Sequence, residues 1–465
     1  MNKFFNSLFS LFFIFIVCSC SAQLNITVNC QSTCDSLQLQ SYNWQKKSGT
    51  RIVVPYSETV TFKQKTPLKP GMYWLTKDTN RIAAIIISSE KKQKLSLTIS
   101  PEEDITFNNN AENTQYQQYL FKMRDFNQLR NALDKEYEEA QGLPIYMLRT
   151  LADSLTARAQ RIQAARIAYE QKLIQDNPKT LLASIVAANI SMPEIPANYY
   201  NNPLKIQEFV MQHFFDNFPW EDPRIFNTPV AEDKFKNYVD FVYQIDRPEL
   251  DTFVVEALKA SSINKTSQRL FFERLDKDLG YYMSNYKVEH TYIKMLKYIL
   301  ATSDLEEIRR TYYEYELSTI NKNLNGSIAT DFRFVDSNGD TSNLHSVQSE
   351  YILLFLHNPT CTTCREVRRR IADYEWLNKA IASGRLTVLT VYMENDENVW
   401  KHYLESEANP KYKHVWNFDL SIEKDALYET RTIPYMFLLD KDKRVIQKNI
   451  LYNEIENYIQ YLKIY

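Results

Sequence analysis

Hydrophobic and polar residues alternate through the first part of the chain, with the two-residue period of half-buried strands. The alternation is clear at residues 24–28 and 95–99, and residues 83–87 form a short continuous apolar run. No long helical pattern appears in this part. The pattern therefore predicts a small all-β domain over residues 23–110, folded as an antiparallel sandwich or barrel.

Apolar residues then recur at intervals of three and four, the period of amphipathic helices. The longest such run follows Pro144 and continues to about residue 175, where Asn177 and Pro178 stop it. Further helical runs, several of them separated by proline-containing loops, continue to about residue 320. Because no fixed repeat is present, a solenoid is not supported. The pattern predicts an all-α domain over residues 111–322, without catalytic features.

A third pattern extends over residues 323–465 and predicts an α/β domain. Residues 351–356 form a continuous apolar run, as in a strand covered on both faces of a sheet. A helical period follows, and residues 386–392 form a second buried strand, so the two strands and the helix make a βαβ crossover. A further apolar strand begins directly after Pro434.

Two cysteines, Cys361 and Cys364, lie where the first of these buried strands passes into the helix. Free backbone N–H groups and the helix dipole favour the thiolate at the first sulfur. The second sulfur, one turn along, can attack a mixed disulfide formed by the first. We therefore expect Cys361 to be a nucleophile and Cys364 a resolving thiol. The arginines at 368–370 are expected to form mostly a solvated helix face and, together with Arg365, to favour the thiolate slightly.

Two other interpretations of the cysteine pair remain open. The pair could be a structural disulfide in a non-catalytic binding or scaffold protein, or it could bind a metal. Metal sites usually need two such pairs, and no second CxxC is present. His357, His402 and His414 are each expected to be ordinary surface or packing residues. We therefore expect neither a metal nor a cofactor.

Three groups of residues in this region resemble the TlpA/ResA-like envelope proteins of the thioredoxin fold. They are the hairpin pattern Gly326, Ala329, Asp331, Phe332, Phe334, Asp336 and Gly339; the redox motif at residues 361–364; and Thr432, Ile433 and Pro434. The resemblance implies a thioredoxin fold with a cis peptide between Ile433 and Pro434, both of which would contact the substrate. It also implies a thiol–disulfide oxidoreductase that acts on protein thiols and disulfides, with a membrane electron donor as a further partner.

The sequence departs from that family beside the cysteines. Thr360 stands where many relatives have Trp, and Val367 stands where some have Glu. The overall layout also resembles multidomain thioredoxin-like proteins of the Bacteroidota envelope, whose N-terminal domains have no known function.

Composition and charge exclude two classes of ligand. The chain has only seven glycines among 465 residues, well below the usual share of about 7%. No two are close together, so the glycine-rich loops of Rossmann and P-loop nucleotide sites are absent. The 55 basic and 57 acidic residues nearly balance, without the surplus typical of nucleic-acid binding.

The N-terminal residues predict export. An apolar run follows Lys3, so residues 1–22 are typical of a signal peptide. Either Cys20 is the acylated first residue of a lipoprotein, or ordinary cleavage occurs after Ala22. Both interpretations place the protein in the cell envelope, in the periplasm or at the outer membrane, with contact to a membrane only through the lipid. In an exported protein, Cys30 and Cys34 are expected to form a structural disulfide.

Overall fold

The computed structural model describes residues 23–31, 35–42, 50–142, 144–245, 247–280, 288–430 and 432–465. These residues form two compact units. The first comprises the residues up to 245 and residues 256–274, and the second comprises residues 247–255 and 275–465. The expected signal peptide with Cys20 lies outside the described residues, and so does Cys34. The lipid anchor and the disulfide to Cys30 therefore stay predictions.

The strands of the first unit follow the alternating pattern of the sequence. They are β1 (Leu24–Cys30), β2 (Ser36–Ser41), β3 (Arg51–Pro55), β4 (Thr59–Gln64), β5 (Gly71–Lys77), β6 (Asn80–Ile87), β7 (Gln93–Ile99) and β8 (Ile105–Phe107). Within the described ranges they form two four-stranded sheets, with the orders β4-β1-β7-β8 and β3-β2-β5-β6. Inward-facing residues of both sheets, such as Ile26, Leu97, Leu39 and Leu75, pack into one core. The N-terminal region is thus a β-sandwich.

One pairing in this sandwich differs from the antiparallel arrangement expected from the sequence. Strands β1 and β7 run parallel, with Ile26 opposite Leu95 and Val28 opposite Leu97. Parallel neighbours need a long crossover connection, and here the chain passes through the second sheet between β1 and β7.

Helices occupy the middle of the chain, as the three-to-four residue period predicts. They are α1 (Ala111–Glu139), α2 (Ile145–Asp176), α3 (Leu181–Asn189), α4 (Pro203–His213), α5 (Pro229–Ile245), α6 (Asp251–Ser261), α7 (Lys265–Leu279), α8 (Glu289–Thr302) and α9 (Glu307–Ile320). None of the described helices is both long and apolar enough to cross a membrane.

Side-chain amides attach the first helices to the sandwich. The buried Asn113 of α1 accepts a hydrogen bond from the N–H of Ile86 at 2.7 Å and donates one to its carbonyl at 2.9 Å. The amide of Asn227 donates to the carbonyl of Pro70 at 3.1 Å. A Cβ at Gly71, where φ is +153°, would lie only 2.6 Å from the Cβ of Asn227. Residue 71 must therefore be glycine, because the segment that contains Asn227 packs directly against β5.

The second unit is built on a mixed sheet. Its strands are β9 (Arg333–Asp336), β10 (Thr341–Asn343), β11 (Tyr351–His357), β12 (Leu386–Tyr392), β13 (Lys413–Trp416), β14 (Tyr435–Asp440) and β15 (Val445–Lys448). The order is β10-β9-β13-β12-β11-β14-β15, with β11, β12 and β13 parallel and the other pairs antiparallel. Its helices are α10 (Thr362–Ala372), α11 (Glu375–Ala382), α12 (Glu397–Ser406), α13 (Ser421–Lys424) and α14 (Ile455–Tyr461).

The central strand β11 is buried on both faces, as its continuous apolar sequence predicts. Leu354 and Leu356 pack into a core on one face. Phe355 packs on the other face, in a core that contains Val367 and Ile371 of α10. Because side chains alternate along a strand, His357 lies on the same face as Phe355. The strand therefore ends with a histidine under the helix that carries the cysteine pair.

The chain that follows α9 closes the β15 edge of the sheet. The N–H of Gly326 donates to the carbonyl of Val445 at 2.7 Å, and the N–H of Val445 donates to the carbonyl of Ser327 at 2.8 Å. The buried ammonium of Lys448 donates to the carbonyls of Ile320 and Lys322 at 2.9 and 3.0 Å. It also lies 2.6 Å from Oε1 of Glu289 at the start of α8. An ion pair thus joins α8 to β15.

Candidate active site

Cys361 is the N-cap residue of α10. Its backbone is extended, and its sulfur accepts a hydrogen bond from the N–H of Cys364 at 3.3 Å. N-cap acceptors satisfy one of the free N–H groups of the first helical turn. Cys361 is partly exposed, whereas Cys364 is fully buried on the inner face of the helix. The pair therefore presents one accessible sulfur and one protected sulfur.

A turn built around Asn358 leads from β11 to Cys361. The side-chain oxygen of Asn358 accepts hydrogen bonds from both the N–H and the hydroxyl of Thr360, each at 2.9 Å. The N–H of Cys361 donates to the carbonyl of Asn358 at 3.2 Å. Local bonds of this type fix the backbone of a turn without help from other elements. Asn358 thus fixes the direction from which the first cysteine enters the helix.

The pKa values of the two thiols are shifted in opposite directions. Burial raises the pKa of Cys361, but three other effects outweigh it and bring the pKa below its ordinary value. They are the hydrogen bond from the side chain of Cys364, the hydrogen bonds from the backbone N–H groups of Cys364 and Thr363, and the charge of Arg368. Burial raises the pKa of Cys364 to about 12. At neutral pH the accessible sulfur is therefore the more easily ionised one, and the protected sulfur is a thiol.

Arg368 lies beneath the cysteines on the buried side of α10, contrary to the solvated face expected for the arginines at 368–370. Only 7% of its surface is exposed. Nη1 donates to Nδ1 of His357 at 3.0 Å, and Nη2 donates to Oε2 of Glu407 at 2.7 Å. The guanidinium also lies 4.9 Å from the centre of the Tyr403 ring. These contacts hold a positive charge at the end of β11, while Arg369 and Arg370 are exposed as expected.

The histidines considered as metal ligands have other partners. Burial lowers the pKa of His357 well below its ordinary value, so the ring is neutral and its Nδ1 accepts from Arg368. His414 is also buried, with Nδ1 bonded to the hydroxyls of Thr390 and Tyr403 and Nε2 to a backbone carbonyl. His402 is exposed on α12. In the part of the chain that the structure describes, no group of three or more His, Cys, Asp or Glu residues could hold a metal.

Ile433 and Pro434 are joined by a cis peptide bond. Pro434 directly precedes β14, whose first residue, Tyr435, pairs with Leu356 of β11. This register places Pro434 beside the end of β11, the end from which the chain continues to Cys361. The fold therefore brings the proline and the cysteine pair together at the carboxyl end of strand β11.

Sequence reasoning did not find Asn358 or Glu407 as supports of the cysteines, and it missed the burial of Arg368, although it expected the arginines to favour the thiolate slightly. Asn358 carries a readable signal, because Asn two residues before a polar residue is typical of a turn. Arg368 carries one as well, since it lies four residues after Cys364 and three before Ile371 and so shares their helix face. Glu407 carries none, because its contact with Arg368 depends on how α12 packs.

Comparison with known proteins identifies the fold. A thioredoxin-like protein from Bacteroides caccae is 24% identical over 58% of this chain and 98% of its own, with a TM-score of 0.53. The chain contains a thioredoxin-like domain. The βαβ crossover with the cysteine pair at the helix N-terminus, followed by the antiparallel strands β14 and β15, belongs to the second unit.

Other matches cover smaller parts of the chain. The C-terminal domain of an uncharacterized protein from Bacteroides fragilis is 30% identical over 30% of this chain and 98% of its own, with a TM-score of 0.29. The thioredoxin domain of a thiol-disulfide oxidoreductase from Bacteroides vulgatus is 20% identical over 30% of this chain and 97% of its own, with a TM-score of 0.27. A domain of unknown function (DUF5106) matches residues 162–323, within the helical region. The search of curated proteins finds no significant match.

Proposed function

We propose that the protein is a thiol–disulfide oxidoreductase that acts on protein disulfides through Cys361 and Cys364. The observation that carries this proposal is the asymmetry of the two sulfurs. Cys361 is partly exposed, caps the helix and has a lowered pKa, whereas Cys364 is buried with a raised pKa. Exchange needs a reactive thiolate beside a second thiol that stays protonated until the first has reacted.

The first step is attack by the Cys361 thiolate on one sulfur of a substrate disulfide. A bond forms between Cys361 Sγ and that sulfur, the substrate S–S bond breaks, and the departing thiolate takes a proton from water. Because Cys364 is uncharged and buried, it does not compete for the substrate. In this proposal Ile433 and Pro434, which lie near the carboxyl end of β11, contact the substrate chain.

In the second step, Cys364 gives its proton to water, and the resulting thiolate attacks Cys361 Sγ. The mixed disulfide breaks, the second substrate thiolate leaves, and Cys361 and Cys364 become a disulfide. Two electrons have then passed from the pair to the substrate. A thiol donor must reduce the pair again, and in the opposite direction the same steps oxidise a substrate dithiol.

The cellular setting belongs to the same proposal. We place the protein in the cell envelope, with envelope proteins as substrates and a membrane donor as the source of electrons in the reducing direction. The β-sandwich and the helical region would anchor the enzyme or select its partner protein.

Trapping and exchange kinetics test the chemistry with two matched variants, Cys361→Ser and Cys364→Ser, each of which removes one thiol of the same motif. We expect Cys364→Ser to accumulate a mixed disulfide with a model protein disulfide, and Cys361→Ser to form none. Equal trapping by both variants would contradict the assigned roles. A potential of the pair below about −300 mV, with exchange no faster than that of a free thiol, would instead indicate a structural disulfide.

A further inference from the structure

A cavity of about 280 Å³ lies between α10, the helix that begins at the cysteine pair, and α12. Arg365, Arg368 and Arg369 line one side, and Glu407 lines the other. Three guanidinium groups against one carboxylate leave a net charge of +2 on these four residues. A concave surface of one sign of charge concentrates groups of the opposite sign.

The arginines retain capacity to bind another acceptor. The side chain of Arg369 is exposed and forms no hydrogen bond or ion pair with any residue that the structure describes. Nε of Arg365 is buried without a hydrogen-bond partner there, and the nearest carboxylate oxygen, on Glu407, lies 3.6 Å away. Arg368 is fixed by His357 and Glu407, so its charge lines the cavity without moving. A carboxylate would supply the acceptors that guanidinium groups bind best.

Along α10, the lining of the cavity begins at Arg365, four residues after Cys361. Arg365 and Arg369 follow Cys361 at intervals of four residues, so the three lie along one face of α10. At 1.5 Å per residue, they lie about 6 and 12 Å beyond Cys361 along the helix axis. An extended peptide covers about 10–13 Å in three or four residues. A side chain three or four residues from a substrate cysteine therefore reaches the arginines while that cysteine meets Cys361.

We propose that this cavity binds an Asp or Glu side chain of the substrate protein, three or four residues from the cysteine that Cys361 attacks. The inference rests on the proposed oxidoreductase function and names a class of substrate for it. Cysteines with an acidic neighbour would be selected over cysteines with a basic one. Because the contact is partly exposed, it would act mainly on the rate of association and weaken as salt is added.

The test compares two peptide disulfides that differ at one position, with Glu or Lys four residues from the cysteine. The measured quantity is the ratio of their kcat/KM values for reduction by the full chain. For the wild type we expect the Glu peptide to react about three- to tenfold faster at low salt, because each exposed charge pair contributes only modestly in water. At about 0.5 M salt the ratio should approach one.

Two single variants of α10 are matched in charge. Arg369→Gln removes an arginine that lines the cavity, and Arg370→Gln removes an exposed arginine paired with Glu366 instead. We expect Arg369→Gln and the double variant Arg365→Gln/Arg369→Gln to lower the ratio in steps, and Arg370→Gln to leave it unchanged. Since both peptides meet the same Cys361, any change in its reactivity cancels in the ratio.

The possible failures are distinct. A wild-type ratio of one at low salt, with rapid exchange of both peptides, overturns the acidic-substrate site and leaves the oxidoreductase function standing. An equal fall in the ratio for Arg369→Gln and Arg370→Gln also overturns the site, because only the total charge of the helix would then matter. Exchange of both peptides no faster than with Cys361→Ser overturns the function itself.

Discussion

Arg368 donates a hydrogen bond to Nδ1 of His357 over 3.0 Å, which joins the second turn of α10 to the last residue of β11. The acceptor is neutral, because burial keeps the pKa of His357 well below its ordinary value. The arginine charge is therefore offset by Glu407, which also lies 3.6 Å from Nε of Arg365. Long helical side chains lean toward the N-terminus of their helix, so this charge lies on the side of the cysteines.

The first prediction concerns the reactivity of Cys361. The pKa of its thiol lies below the ordinary value, and Arg368 contributes to the lowering. Arg368→Gln should raise this pKa, so less thiolate is present at pH 7 and alkylation by iodoacetamide slows. Above the shifted midpoint, the rates of variant and wild type should converge. Mass spectrometry of the Cys361 peptide over a pH series measures the midpoint.

Two further variants separate charge from packing. Arg368→Lys keeps a positive charge and should restore part of the lowered pKa, while Arg370→Gln removes an exposed charge and should change it little. If Arg368→Gln and Arg368→Lys shift the midpoint equally, the arginine acts through packing rather than charge.

A second prediction concerns the turn before Cys361. Asn358→Ala removes the acceptor of two hydrogen bonds from Thr360, and should lower the free energy of unfolding of this unit by roughly 1–3 kcal/mol. Thr360→Val removes only the hydroxyl bond and should cost less. Urea denaturation followed by a probe in the thioredoxin-like domain measures both changes. Equal losses would show that the hydrogen bond from the N–H of Thr360 to Asn358 adds nothing to the stability of the turn.

A third prediction concerns the buried pair Lys448 and Glu289. Lys448→Met leaves the half-buried carboxylate of Glu289 and two carbonyls without the ammonium, and should cost roughly 3–5 kcal/mol. Burial already holds the pKa of Glu289 above its ordinary value despite the lysine. The double variant Lys448→Met/Glu289→Gln should therefore lose less than the single one. Chemical denaturation of the wild type and these variants measures the free energy of interaction between Lys448 and Glu289.

The surface pair Lys236 and Asp240 supplies the control for that experiment. It is an exposed pair one helical turn apart, so Lys236→Met should cost less than about 1 kcal/mol. A double variant of the buried pair that is as unstable as the sum of its single variants would show that the two residues do not interact.

A fourth prediction concerns Gly71. Gly71→Ala would place a methyl group 2.6 Å from the Cβ of Asn227 at a φ of +153°, and should lower the stability of the first unit by roughly 1–3 kcal/mol. Gly142→Ala is the matched control, because nothing lies within 4 Å of the added carbon. Thermal unfolding of the two variants measures the difference, and equal midpoints would show that the helical segment can move away from β5.

The sequence pattern predicts the helices and strands of this protein better than it predicts which of them pair or pack together. Continuous apolar residues predict β11 and β12 as buried strands, and the period after Cys364 predicts α10. These properties depend on neighbours in sequence. The parallel pairing of β1 with β7 depends on where the chain returns after β6, and alternation is the same in parallel and antiparallel strands. The pattern therefore could not distinguish them.

The surroundings of the cysteines show the same limit. That Cys361 begins a helix follows from local pattern, whereas the burial of Arg368 was missed because three successive arginines suggest a solvated face. Helical geometry places only one of the three on the side of Cys364 and Ile371. Its partner Glu407 comes from another helix. The attachment of α1 to the sandwich likewise depends on residues that are distant in sequence, Asn113 and Ile86.

The hydrogen bonds of Gly326 and Ser327 to Val445 determine whether the β15 edge of the sheet is open to strands of other chains. An uncovered edge strand exposes unpaired N–H and C=O groups that recruit strands from neighbouring molecules. Here the segment before β9 occupies those groups on β15, and the opposite edge is the three-residue strand β10. A thioredoxin-like domain shortened to begin at residue 330 would lose that cover, and we expect it to self-associate through β15.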